Sequence, residues 1–131
     1  MKVILPCLLL AMSLAGCAST GPKEGYVYVP NQLSAPLIEK LYGIADKLNQ
    51  EENLTAKFVE EQALLDIEIK AEQGSRYIWG VPGNYFYKQL CFTDEGFYKE
   101  IREAGVGIKY TLIDVSHKQK IGPWNAAACY N

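Results

Sequence analysis

The sequence predicts a single α+β domain in the part of the chain that follows residue 33. Residues 35–50 favour an amphipathic helix, because their apolar side chains recur at three- and four-residue steps. Residues 64–72 and 106–116 favour strands, because apolar side chains occupy every second position there. The chain has 131 residues, of which 49% are hydrophobic and 21% charged, as is usual for one globular domain.

The first part of the predicted domain contains one helix and a pair of strands. The helix begins after Ser34, a favourable N-cap, and ends near residue 50, with Pro36 in its first turn. Strands are predicted at 54–62 and 64–72, and the second of them has one apolar and one charged face. The next apolar run, residues 76–80, is either a short third strand or a buried loop.

Two more helices are predicted between residues 84 and 105. The first begins near residue 84 and carries Cys91 near its C-terminal end. The second follows an N-cap at Thr93 or Asp94 and closes at Gly105, because glycine readily adopts the left-handed conformation of a C-terminal cap.

The strand at residues 106–116 leads into a polar turn and a returning strand that begins at Lys120. Pro123 lacks the N–H group that a sheet ladder uses, so the returning strand is predicted to be an edge strand or to end there.

The N-terminus has the features of a secretory signal peptide. Lys2 precedes an apolar run over residues 3–14, which is shorter than the roughly 20 residues that a membrane-spanning helix needs. The segment Leu14-Ala15-Gly16-Cys17 resembles the lipobox of bacterial lipoproteins. This resemblance implies that cleavage removes residues 1–16 and that Cys17 is then acylated. The alternative is an ordinary secretory signal that is cleaved near Ala18.

The resemblance to lipoproteins also predicts a location. Ala18, rather than an aspartate, follows the cysteine, and this resembles lipoproteins that are delivered to the outer membrane and face the periplasm. Residues 17–33 are rich in Gly, Pro and small polar residues, so they are interpreted as the lipidated N-terminus and a tether. Within the tether, residues 26–29 either stay extended in solvent or dock on the domain, which comprises residues 34–131.

Four cysteines are present, and two of them remain available in the mature domain. Cys7 leaves with the signal peptide and Cys17 takes the lipid, which leaves Cys91 and Cys129. In an oxidising compartment such a pair favours a disulfide. The alternative is a metal site, which would need more ligands than two thiols and the single His117.

The sequence offers few groups for catalysis. His117, the single histidine, falls in a predicted polar turn, and no nucleophile elbow, zinc-binding helix, phosphate loop or Cys-x-x-Cys motif is present. The formal net charge is −2 and no basic stripe is visible, which disfavours a nucleic-acid partner. The prediction is therefore a protein without enzymatic activity, cofactor, metal or small-molecule substrate; a hydrolase that uses His117 is the remaining enzymatic alternative.

Aromatic residues are concentrated between residues 77 and 98. Core packing accounts for some of them, but tyrosine and tryptophan also favour interfaces because they combine a large apolar area with a polar tip. We expect several of them to line a groove for an amphipathic peptide helix. The candidate partner-binding residues are Tyr77, Trp79, Tyr85, Phe86, Phe92, Phe97 and Tyr98.

The order of these features is similar to that of the pilotins of the type II secretion system. The likeness is to their AspS-like class, also called the beta form of GspS. It rests on the lipobox, on residues 87–91 (YKQLC) in a predicted helix, on a Val/Ile/Tyr strand with Asp114 before a turn, and on a cysteine close to the C-terminus. The resemblance covers most of the mature chain and matches Cys91 and Cys129 to the disulfide cysteines of that family.

The resemblance implies a fold, a partner and a location. The fold is one domain with one disulfide and an antiparallel sheet of about four to five strands, with helices packed mainly on one face. The implied partner is the C-terminal helix of the secretin, the outer-membrane pore subunit that pilotins deliver and help to assemble. The alternative is a periplasmic lipoprotein of another class, an inhibitor or an envelope-assembly factor, that binds a peptide in the same groove.

Overall fold

The computed structural model describes the chain over residues 21–70, 82–114 and 118–130. The elements in order are α1 (Ala35–Asn49), β1 (Leu54–Val59), a 3-10 helix (Glu60–Gln62), β2 (Leu64–Lys70), α2 (Pro82–Phe92), α3 (Tyr98–Ala104), β3 (Gly107–Ile113), β4 (Lys118–Trp124) and a second 3-10 helix (Ala126–Ala128). The predictions for the signal peptide, Cys17, residues 76–80 and His117 lie outside the described residues. None of the helices over the described ranges is long and apolar enough to cross a membrane.

The four strands form one sheet in the order β1-β2-β3-β4. The α+β class is confirmed, but the prediction of an antiparallel sheet is wrong at its centre, because β2 and β3 run parallel. The two outer pairs are antiparallel. Parallel neighbours need a long crossover connection, and the segment between Lys70 and Gly107, which includes α2 and α3, supplies it. Alternation of side chains along a strand does not reveal its direction, so the sequence pattern could not distinguish the two arrangements.

The three helices cover one face of the sheet. The buried side chains of α1, α2 and α3 join those of alternate strand positions in one core, which includes Leu41, Phe86, Leu90, Ile101 and Ile108. In β2 the buried positions Leu65, Ile67 and Ile69 alternate with more exposed ones, as predicted. Burying one large aliphatic side chain stabilises a fold by about 1.5–3 kcal/mol, so this core positions the helices.

Most predicted element boundaries agree with the structure to within a few residues. The exceptions lie at chain turns. The strand predicted at 54–62 ends at Val59, because a 3-10 helix follows and Ala63 then takes a left-handed conformation. The residue that precedes α3 is Phe97, not Thr93 or Asp94. Gly105 does form the left-handed C-terminal cap, with φ of 73°.

The predicted disulfide is confirmed. Cys91 at the end of α2 bonds Cys129, and their Cα atoms are 5.6 Å apart. Beside this bridge, the buried Tyr87 hydroxyl accepts a hydrogen bond from the backbone N–H of Tyr130 at 3.0 Å. The C-terminal segment is therefore held against α2 by a covalent and a polar contact.

Residues 23–31 dock on the domain, so the second of the two possibilities for residues 26–29 is the one that the structure shows. We call this segment the strap. The backbone N–H of Lys23 donates to the carbonyl oxygen of Ala128 at 3.1 Å. Further along, the Asn31 side chain donates to the carbonyl oxygen of Gly105 at 2.8 Å.

Candidate functional site

A continuous groove runs between α1 and α3. At one end, a depression of about 560 Å³ is bordered by the apolar Leu37 and Ala104 and otherwise mostly by charged side chains. It adjoins a second one of about 320 Å³ whose apolar lining includes Ile44 and Leu48, and Glu100 borders both. A third, narrower depression continues from the second one. We call the three together the helix groove.

The narrow continuation of the helix groove is aromatic. It has a volume of about 110 Å³ and shares Leu48 and Phe97 with the preceding depression. Tyr85 and Tyr98, both half-buried, line it as well. Four of the predicted partner-binding residues, Tyr85, Phe86, Phe97 and Tyr98, therefore meet at this end of the groove.

Hydrogen bonding and stacking hold these rings in place. The hydroxyl groups of Tyr98 and Tyr110 are 2.7 Å apart and share a hydrogen bond. The rings of Phe97 and Tyr98 stack with their centroids 4.6 Å apart. A peptide that enters the groove would therefore meet ordered rings, which lose little conformational entropy on binding.

Two of the predicted partner-binding residues, Phe86 and Phe92, differ from the others in how much of the side chain is exposed. Phe86 also lines the aromatic end of the groove, but it is 2% exposed and stacks on Tyr110 with ring centroids 4.0 Å apart, so it forms the floor there and its role as a partner contact stays a prediction. Phe92 is 64% exposed at the end of α2, where it does not line the helix groove. Tyr77 and Trp79 lie outside the described residues.

Sequence reasoning missed the contribution of α1 to the groove. The apolar stripe predicts the helix without saying what covers the stripe, and in the structure only Leu41 and Ala45 of α1 are buried. Leu37, Ile44 and Leu48 are half-buried and form the α1 side of the groove.

The two walls of the helix groove carry opposite charges over its apolar floor. Lys40 and Lys47 stand on the α1 wall. The α3 wall carries a net negative charge, because it is lined by Lys99 together with Asp94, Glu100 and Glu103. The Lys40 Nζ and Glu100 Oε2 atoms are 2.6 Å apart across the mouth. Both side chains are exposed, and such pairs contribute only about 0–1 kcal/mol, so a partner can replace this ion pair at low cost.

Arg102 fixes α3 to the end of α2. Its Nη1 atom donates to the carbonyl oxygens of Leu90 at 2.8 Å and Thr93 at 2.9 Å. Its Nη2 atom pairs with the carboxylate of Asp94. The guanidinium thus satisfies carbonyls that the α2 helix leaves unpaired at its C-terminus, and it sets the position of the acidic wall.

The chemistry of the helix groove suits the binding of another protein. Among residues 21–70, 82–114 and 118–130, no three His, Cys, Asp or Glu side chains lie close enough together to hold a metal ion. An apolar floor with charged rims is the usual anatomy of a protein–protein interface.

Comparison with the models of known protein families, with curated proteins and with solved structures found no match.

Proposed function

We propose that this protein is an outer-membrane lipoprotein of the pilotin type, which binds the C-terminal helix of a type II secretion secretin and promotes its targeting and assembly. The observation that carries the proposal is the apolar groove between α1 and α3, with opposite charges on its two walls. The lipobox at Cys17 and the resemblance of residues 87–129 to the AspS-like pilotins support it.

The dimensions of the groove fit one peptide helix. An α-helix rises about 1.5 Å per residue, so the stretch of α1 from Leu37 to Leu48 that lines the groove forms a wall about 17 Å long. A partner helix of about three turns would match this length and would present anchor side chains at i, i+3, i+4 and i+7. Leucine-sized anchors suit the second depression, which Ile44, Leu48 and Phe97 line, and the aromatic end accepts one further apolar side chain.

The charges on the groove walls determine which charges the two flanks of the partner helix should carry. Acidic side chains on one flank would face Lys40 and Lys47, and basic side chains on the other flank would face Glu100 and Glu103. Complementary charges at an interface rim raise the association rate and fix the register of the partner more than they raise affinity. The groove therefore selects an amphipathic helix with an apolar stripe between flanks of opposite charge.

The lipid anchor explains why such a binder would be useful. A single acyl chain binds a bilayer only reversibly, whereas the several chains of a bacterial lipoprotein would hold the bound secretin at the membrane. No catalytic step is needed, because affinity for the helix and attachment to the membrane are sufficient for targeting.

The proposal is tested by titrating the unlipidated Cys17→Ser protein with peptides from secretin C-termini and measuring heat or fluorescence anisotropy. We expect saturable binding, and we expect Ile44→Asp to abolish it because a charge would enter the apolar floor. Val27→Asp, an equal change on an exposed side chain away from the groove, is the matched control and should bind normally. Absence of binding to every cognate peptide would remove the secretin from the proposal.

The alternative partner class has its own discriminating result. If no secretin peptide binds, but Ile44→Asp in the lipidated protein causes the same envelope defect as deletion, the groove serves another periplasmic peptide. That outcome would favour an inhibitor or an envelope-assembly factor.

A further inference from the structure

The strap crosses one particular end of the sheet. Tyr26 exchanges hydrogen bonds with Asn125, which directly follows β4. The Tyr28 hydroxyl lies within 2.6 Å of the carbonyl oxygen of Gln62 and 3.0 Å of that of Ala63, just before β2. The tyrosine side chain also packs on Gly107, the first residue of β3. The strap thus covers the end at which β2 and β3 begin and β4 finishes.

The side chains of the strap alternate between the domain and solvent. Tyr26 and Tyr28 point towards the sheet end, whereas Val27 is 74% exposed and Val29 is 65% exposed. These valines are among the large apolar side chains that the described part of the chain exposes most. The outer side of the strap therefore presents a small aliphatic surface that the fold itself does not use.

The strap shortens the tether sharply. Five residues separate Cys17 from Lys23, which is the first of the described residues with a hydrogen bond to the domain. At about 3.3–3.6 Å per residue, this connection reaches at most about 20 Å. A free chain from Cys17 to the start of α1 would instead reach about 60 Å at full extension. The docked segment thus removes about two thirds of the reach.

We propose that the strap end of the sheet faces a lipid surface and that Val27 and Val29 rest on it, so that the strap sets the orientation of the domain at the membrane. This inference depends on the lipid anchor at Cys17 that the proposed function includes, but not on the identity of the partner helix.

The orientation has a consequence for the helix groove. Asn31 of the strap bonds Gly105, which follows the last residue of α3, and α1 begins shortly after the strap. The Leu37 and Ala104 end of the groove therefore lies nearer the membrane than the aromatic end. A partner helix would lie with one defined end towards the bilayer.

The test uses the mature lipidated protein in vesicles of phosphatidylethanolamine and phosphatidylglycerol that contain a nickel-chelating lipid. Spin labels are placed at Ala127→Cys, near the strap, and at Gln119→Cys, at the opposite end of β4; both positions are exposed. We expect the relaxation enhancement by nickel to be several-fold greater at position 127. In the Tyr26→Ala/Tyr28→Ala variant the two positions should give similar values, because the released strap lets the domain tumble.

The possible outcomes separate this inference from the proposed function. Equal enhancement at both positions in the otherwise native protein would overturn the orientation. Failure of the protein to float with the vesicles would overturn it together with the anchor, whereas peptide binding in the groove is measured on unlipidated protein. If circular dichroism shows that the double tyrosine variant is unfolded, Gly107→Ala, whose methyl group collides with Tyr28, replaces it with the same expected result.

Discussion

The side chain of Tyr28 occupies the space that any side chain at Gly107 would need. An added Cβ at position 107 would collide with the ring and hydroxyl of Tyr28. The absence of a side chain on the first residue of β3 therefore allows a segment close to the N-terminus to pack on the sheet. A glycine in a strand ordinarily weakens it, and here that cost is offset by the docking of the strap.

We expect Gly107→Ala to lower the free energy of unfolding by about 1–3 kcal/mol, the usual cost of overpacking. In a Tyr28→Ala background the same change should cost less than about 0.5 kcal/mol, because the collision is gone. Denaturant unfolding of the four proteins in this double-mutant cycle measures the difference. Additive effects would show that the two residues do not compete for space.

The strap should weaken at alkaline pH. Burial, followed by the electrostatic effect of Tyr26, raises the pKa of Tyr28 from 10.0 to about 12. Because the pKa is higher in the folded state, the contribution of Tyr28 to stability is complete below pH 10 and is lost as the pH rises towards 12. The stability difference between the native protein and Tyr28→Phe should therefore shrink over this range. Chemical denaturation at several pH values measures it, and a difference independent of pH would contradict the expectation.

Sequence patterns predicted local features well where a residue's own neighbours decide the structure. The bounds of α1 follow from the spacing of Leu37, Leu41 and Leu48 and from Pro36 in the first turn. The cap at Gly105 follows from the conformational freedom of glycine. Four residues at the aromatic end, Tyr85, Phe86, Phe97 and Tyr98, could be nominated because aromatic side chains contribute strongly to interfaces.

Features that depend on distant residues could not be predicted in the same way. The docking of Tyr28 requires a carbonyl oxygen of Gln62 and an empty position at Gly107, neither of which is near it in sequence. The parallel pairing of β2 with β3 depends on the path of the crossover. The role of Ile44 in the groove depends on how closely α3 approaches α1, which the pattern of α1 alone does not specify.

Removal of the disulfide should destabilise the domain. We expect Cys91→Ser to lower the free energy of unfolding by about 2–5 kcal/mol, since the bridge closes a loop of 38 residues. Thermal unfolding without reductant measures this, and native protein with reductant should resemble the variant. An unchanged melting midpoint would show that the bridge does not constrain the chain.

Arg102 should contribute to the stability of the domain, although it lies on a short helix. We expect Arg102→Ala to cost about 1–3 kcal/mol, because the carbonyl oxygens of Leu90 and Thr93 would lose a charged donor. Lys99→Ala, an exposed cation on the same helix, is the control and should change stability by less than about 0.5 kcal/mol. Chemical denaturation of both variants gives the comparison, and equal effects would mean that Arg102 does not secure the end of α2.

The charges on the groove walls should determine which peptide flank lies against α1. If acidic side chains of the partner face Lys47, then Lys47→Glu replaces attraction by repulsion and should weaken binding about tenfold, which corresponds to about 1.4 kcal/mol. Lys120→Glu, the same change on the exposed edge strand β4, should leave the affinity unchanged at equal net charge. A peptide whose acidic flank is changed to lysine should bind Lys47→Glu better than it binds the native protein.

Isothermal titration at low and high salt provides the measurement, since an effect of exposed charges must fade as salt screens them. Equal weakening by Lys47→Glu and Lys120→Glu would mean that only net charge matters and that the α1 wall does not contact the peptide.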